Sequence, residues 1–190
     1  LALAPFTDMI TYLEDGDWVV LTRTSASFRD SSHNHVQRPK IRTMASAFLI
    51  DKGNYRHFMA KEIHEQPEVV GRTLAHYIDM SAGKVVLPFD LPMDAKSISR
   101  LTIMACGTAY MAGLTAKYWF EKFARLPVEI DVASEFRYRD APLPENGLAL
   151  VVSQSGETAD TLASLRYAKE NGQKIMAVVN VPTSTMAREA

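Results

Sequence analysis

From residue 101 onward, short apolar runs alternate with longer stretches of helical spacing. "LTIMAC" is followed by the turn "GTA" and by "YMAGLTAKYWFEKFARL"; then come "PVEIDVAS", "GLALVVS", the helical "TADTLASLRYAKENG" and "KIMAVVNVP". Strand-length apolar runs separated by helices predict βαβ units around a parallel sheet. Asn171-Gly172 is a good helix stop. Tyr110, Leu114, Tyr118 and Phe120 to Phe123 give the first helix a broad apolar face, which is expected in the core.

The upstream half has another rhythm. Residues 10–50 read as β-structure, with a hairpin cue at Asp15-Gly16 inside "YLEDGDWVVLTRT", a further strand at "ASFRD" and a polar loop at "SSHNHVQRPK". Gly53 and Asn54 break that pattern. Phe58, Met59, Ile63 and Pro67 then predict a short helix that stops at the proline. A second helix is expected in "EVVGRTLAHYIDM", followed by the Pro-rich crossing "GKVVLPFDLPMDA".

Composition narrows the class. A chain of 190 residues allows one or two domains. With 47% hydrophobic and 23% charged residues it has the profile of a soluble globular protein. A net charge of -1 offers no basic field for nucleic acid or an anionic membrane. The single cysteine, Cys106, excludes a disulfide framework and points to a reducing compartment, so a cytoplasmic location is expected. No apolar run reaches membrane-spanning length, and "LALAPFTDMI" lacks the basic start of a signal peptide. The start, without an initiator Met, reads as the interior of something longer.

Two strand ends could carry chemistry, because ligands of open α/β sheets sit outside the carboxyl ends of strands. One is "ACGTA" (105–109). The other is "SQSGET" (153–158), which gathers the hydroxyls of Ser153, Ser155 and Thr158, the Gln154 amide, and Gly156, which permits close backbone approach. A following helix would aim its unpaired N–H groups at the same place, a recipe for holding phosphate. Helix capping by Ser155 or Thr158 explains the same residues, with Glu157 and Asp160 favourable in a first turn. On local chemistry the two readings stand level, and Glu157 would repel an anion unless it points away. No GxxxxGKS/T, GxGxxG or GxSxG pattern supports a nucleotide site or a serine hydrolase. No Lys or Arg lies in the loop, so a monophosphate fits better than a polyphosphate.

Other candidates are weaker. Cys106 ends a strand before a helix, where a pocket-lining thiol is the plainer reading than a nucleophile. His33 and His35 lack further ligands at zinc spacing. Arg56, His57 and His64 belong to a helix for which surface or interdomain packing is the default. Arg137, Tyr138 and Arg139 form a loop that is either solvated or an oligomer contact.

"YRHFMAKEIHEQP", "ACGTAY", "YWFE", "ASEFRYRDAPL" and "SQSGETADTL" together resemble the glutamine–fructose-6-phosphate aminotransferase (isomerizing) family, and the resemblance runs along essentially the whole chain. "SQSGET" alone suggests only a sugar isomerase (SIS) domain. The family joins an N-terminal-nucleophile glutaminase to an isomerase of two SIS subdomains. Glutamine is hydrolysed at the first, and ammonia passes through a channel to fructose 6-phosphate at the second, giving glucosamine 6-phosphate. The resemblance therefore implies a first SIS subdomain at about 96–190, with a flavodoxin-like parallel sheet and flanking helices. It maps residues 1–50 to the last β-hairpins of the glutaminase, 51–66 to the linker and 67–190 to the start of the isomerase. It implies sugar-phosphate contacts at Thr108, Ser153, Gln154, Ser155 and Thr158, with Cys106, Gly107 and Ala109 lining the pocket. The family often has Ser where this chain has Ala109. The family's acid/base Glu and His and its Schiff-base Lys map beyond Ala190, and Leu1 is no nucleophile, so this chain alone is expected to be inactive. A homodimer is implied, and neither an organic cofactor nor a metal is. The competing class is a non-catalytic SIS module that senses a sugar phosphate, against which the linker and the glutaminase-like strands argue.

Overall fold

The structure, a computed structural model, describes residues 6–42, 52–87 and 93–190. It divides into two compact units, Leu1–Pro88 and Phe89–Ala190. In the first, β1 (Met9–Thr11) pairs antiparallel with β4 (Lys40–Arg42), and β2 (Trp18–Leu21) forms a hairpin with β3 (Ala26–Arg29). The hairpin expected at Asp15-Gly16 is absent. The Asp17 N–H donates to the Glu14 carbonyl and the Glu14 N–H to the Asp17 carboxylate, so this turn closes on itself and joins strands that pair elsewhere. Arg38 holds that carboxylate at 2.7 and 2.9 Å, and its hydrogen bond lowers the Asp17 pKa below the ordinary value. The β-structure expected over 43–50 lies outside the described residues, as does the Pro-rich crossing at 88–92.

Helix α1 (Phe58–Tyr77) corrects the expectation of two helices broken at Pro67. A proline removes one intrahelical bond and crowds the carbonyl four residues back. No described residue of α1 is buried, so water can serve the released carbonyl of Ile63, and the flanking Glu65, Gln66 and Glu68 favour helix. The 66/67 boundary drawn from the sequence therefore lies inside a continuous helix. Two short strands, β5 (Ile78–Asp79) and β6 (Lys84–Val85), close this unit.

In the second unit a 3-10 turn, Ala95–Ser97, leads into β7 (Leu101–Ala105), α2 (Gly107–Trp119), β8 (Val128–Val132) and the short α3 (Ala133–Phe136). Then come β9 (Leu148–Ser153), α4 (Ala159–Glu170), β10 (Lys174–Val179) and α5 (Thr185–Glu189). The strands lie parallel in the order β8-β7-β9-β10, the flavodoxin-like arrangement. Alternation sorts their side chains into two layers. Met104, Ala149 and Val151 pack with Phe136, Leu165 and Ala168 on one side; Leu101, Ile103, Val128, Leu148 and Leu150 cluster on the other.

The aromatic face of α2 is the second correction. Tyr118, Phe120 and Phe123 are 62, 38 and 75% exposed, while Tyr110 and Leu114 are half-buried. The helix meets the sheet through Gly113, where a Cβ would lie 2.9 Å from Ile130 Cδ1 and 3.0 Å from Ile103 Cγ2. Beyond Trp119 the chain winds as a π-turn, Phe120–Ala124, whose wider repeat rotates the later aromatics off the α-helical stripe.

Candidate functional site

The order β8-β7-β9-β10 places the switch point of the sheet between β7 and β9, which are neighbours with Ala105 opposite Val152. The chain leaves β7 toward α2 and β9 toward α4, so both strand-to-helix turns open at the same end of the sheet. Cys106, Thr108, Ala109, Val152, Ser153, Gln154, Ser155 and Thr158 line a cavity of about 180 Å³ there. Seven of these eight lining residues belong to the two turns singled out in the sequence; Val152 alone was not anticipated. Gly107, expected in the lining, instead opens α2 with φ +58° beside the cavity.

The geometry weighs capping against anion binding. Cys106 and Thr158 occupy the N-cap positions of α2 and α4, and neither side chain makes a capping bond. The Thr158 Oγ1 lies 3.3 Å from Ser153 Oγ instead. Ser155 Oγ accepts the Glu157 N–H at 3.2 Å, a local turn rather than a helix cap. Ser153, only 5% exposed, accepts the Gly156 N–H through its Oγ at 3.0 Å, which fixes the shape of the loop. Two helix starts therefore converge on the cavity without side-chain caps, where backbone N–H groups and helix dipoles favour an anion.

The two acidic residues are directed elsewhere. Glu157 Oε1 accepts the Thr185 N–H at the start of α5, at 2.7 Å. Asp160 accepts from Arg137 Nη1 at 2.8 Å, and that bond raises the Arg137 pKa. Gly156 also has a use the sequence did not disclose. Its φ is +66°, and a Cβ there would stand 2.1 Å from Ser184 Oγ, so the close approach it permits is to the N-cap of α5. Its carbonyl accepts the Met186 N–H at 3.1 Å.

The remaining sequence candidates do not join this pocket. His35 Nε2 lies 2.8 Å from Arg29 Nη2, and His33 packs edge-on against Trp18 with ring centroids 5.6 Å apart. His64 Nδ1 is 2.7 Å from the Ala60 carbonyl within α1. Arg139 binds Glu129 and Asp131 on the edge strand β8, and Arg137 stacks over Tyr138 at 4.7 Å. Cys106 Sγ receives the buried Thr161 hydroxyl at 3.9 Å. Among the described residues no group of His, Cys, Asp or Glu could hold a metal ion, and no helix is long and apolar enough to cross a membrane.

A parallel sheet of flavodoxin-like order, with a small hydroxyl-lined cavity where two helices begin, defines a doubly wound α/β class of domain. Residues 95–190 match the model of the SIS domain, and the chain belongs to that family. All 190 residues align with a glutamine–fructose-6-phosphate aminotransferase (isomerizing) of Bradyrhizobium diazoefficiens at 68% identity, and with one of Mesorhizobium japonicum at 62%. The chain spans 31% of the length of each. The C-terminal domain of glucosamine-fructose-6-phosphate aminotransferase from Francisella tularensis superposes with a TM-score of 0.63 at 42% identity, covering 74% of this chain and 39% of that one.

Proposed function

We propose that this chain supplies the sugar-phosphate seat of an isomerizing glutamine–fructose-6-phosphate aminotransferase, binding the phosphate of fructose 6-phosphate or glucosamine 6-phosphate. The carrying observation is the cavity at the switch point, which joins the hydroxyls of Thr108, Ser153, Ser155 and Thr158 to two helix starts without side-chain caps. At about 180 Å³ it is smaller than the roughly 300–1,000 Å³ of pockets that enclose larger ligands. It suits one phosphate group with a short polar tail. The whole-chain similarity to two aminotransferases supports this enzyme over a free-standing sensor.

The same proposal assigns residues 1–50 to the end of a glutaminase domain, 51–66 to a linker and 67–190 to the start of the isomerase. Glutamine as ammonia donor, a homodimer and a cytoplasmic location belong to the proposal. In the pocket, Thr108, Ser155 and Thr158 donate O–H groups, Gln154 its amide, and the first turns of α2 and α4 their N–H groups. None of these groups breaks a bond in the sugar; they hold the phosphate end while the carbonyl end reacts elsewhere. Hydrogen bonds to a charged group contribute roughly 1.5–3 kcal/mol each, and a helix start adds up to about 2. Ordering the ligand offsets much of that sum, leaving micromolar to millimolar binding, about -8 to -4 kcal/mol.

Ser155→Ala tests the assignment of the loop. It is expected to weaken fructose 6-phosphate binding by about 1 kcal/mol or more, the worth of one charged hydrogen bond, with the thermal midpoint nearly unchanged because Ser155 is exposed. Calorimetric titration of wild type and variant checks it. An unchanged affinity would return Ser155 to a turn residue.

A further inference from the structure

The loop that seats the phosphate contains a carboxylate, and the fold has a specific way of disposing of it. Glu157 lies between Ser155 and Thr158, both in the cavity lining. It is exposed, yet its Oε1 accepts the Thr185 N–H at 2.7 Å. The loop is joined to α5 at two more points. The Gly156 carbonyl accepts the Met186 N–H, and the backbone of Gly156 leaves no room for a Cβ beside Ser184. In turn α5 is tied to α4 by Arg166, which binds both oxygens of Glu189 at 2.8 and 2.7 Å and lowers its pKa. The carboxylate in the first turn of α4, Asp160, is paired with Arg137.

We propose that Glu157 is a positioning residue of the pocket: the start of α5 draws its carboxylate away from the phosphate seat, and phosphate affinity depends on that restraint. The inference rests on the sugar-phosphate reading given above. With the Thr185 N–H engaged, the negative charge faces α5. Without it, the side chain swings free within reach of the anion and repels it.

Thr185→Pro removes the restraining N–H, together with the exposed hydrogen bond that Thr185 Oγ1 accepts from Arg188 Nη2 at 3.1 Å. Thr185 is the first residue of α5, where proline is accommodated, and Ser184 before it is extended at φ -69° and ψ 163°, as a residue preceding proline prefers. The expected result is fructose 6-phosphate binding weakened by about tenfold at low salt, the scale of repulsion between a carboxylate and a phosphate dianion across a partly wetted gap. High salt shrinks that loss, because screening shortens the reach of an exposed charge. The double variant Glu157→Gln with Thr185→Pro recovers binding, since the freed side chain is then neutral.

A second pair of variants covers the case in which Thr185→Pro unfolds α5. Glu157→Asp and Glu157→Asn are both too short for the bond and differ only in charge. Asp is expected to weaken binding and Asn to leave it near wild type. Equal weakening by Asp and Asn, or failure of Glu157→Gln to rescue Thr185→Pro, would overturn the inference and leave a structural strut. Absence of binding by the wild-type chain would overturn the sugar-phosphate reading itself, and this inference with it.

Discussion

Gly156→Ala is expected to cost about 2–4 kcal/mol of stability in the unit Phe89–Ala190 and to abolish phosphate binding. Two effects combine. A left-handed φ of +66° costs an L-residue roughly 1–2 kcal/mol. The new Cβ would then meet Ser184 Oγ at 2.1 Å and Ser184 Cβ at 2.4 Å, and relieving overpacking of this kind typically costs about 1–3 kcal/mol. Ser184 cannot simply rotate away, because its Cβ is fixed to a backbone that caps α5 and its Oγ accepts the Ala187 N–H. The loop must lift from α5, carrying Ser155 and Thr158 out of the cavity. For a unit of about 100 residues, each kcal/mol lowers the melting midpoint by roughly 4–8 °C, so a drop of about 8–32 °C by calorimetry is expected. A midpoint within a few degrees of wild type would show that the loop and α5 are not packed as described.

Ala109→Asp separates binding from folding. Ala109 lines the cavity in the first turn of α2, a turn with no acidic residue. A carboxylate there interacts favourably with the helix dipole, by about 0.3–1 kcal/mol, so the fold should hold or gain slightly. The same carboxylate occupies the seat meant for a phosphate. Fructose 6-phosphate binding should fall at least a hundredfold, the combined loss of a helix start and one or more charged hydrogen bonds, about 3 kcal/mol. Ala109→Ser, which adds a neutral donor at the same place, should instead tighten binding. Titrations of both variants, beside their melting midpoints, read the two effects apart. Equal affinities for Ala109→Asp and wild type would remove the phosphate from this end of the sheet.

What could be read in the sequence was whatever local chemistry decides. Strands β7, β9 and β10 were legible as nearly continuous apolar runs, the edge strand β8 as an alternating one that carries Glu129 and Asp131, and Asn171-Gly172 stops α4 where expected. The two turns that line the cavity were legible because ligands of open α/β sheets sit outside the carboxyl ends of strands; that they act together was implied only by the family resemblance. Long-range geometry was less visible. Pro67 reads as a break, yet α1, none of whose described residues is buried, passes through it. The α2 aromatics read as core, but Gly113 and a π-turn decide which side meets the sheet. The direction of Glu157 depends on Thr185, 28 residues away, and no local pattern announces such a contact.

Titration of the 190-residue chain with fructose 6-phosphate, with its backbone amide resonances followed, reads phosphate binding at the two turns directly. Saturable shifts are expected at Gly107 to Tyr110 and at Ser153 to Thr158, with a Kd between micromolar and millimolar, reproduced weakly by inorganic phosphate and not by fructose. Shifts that fail to saturate, or that appear equally with unphosphorylated fructose, would contradict a phosphate seat there.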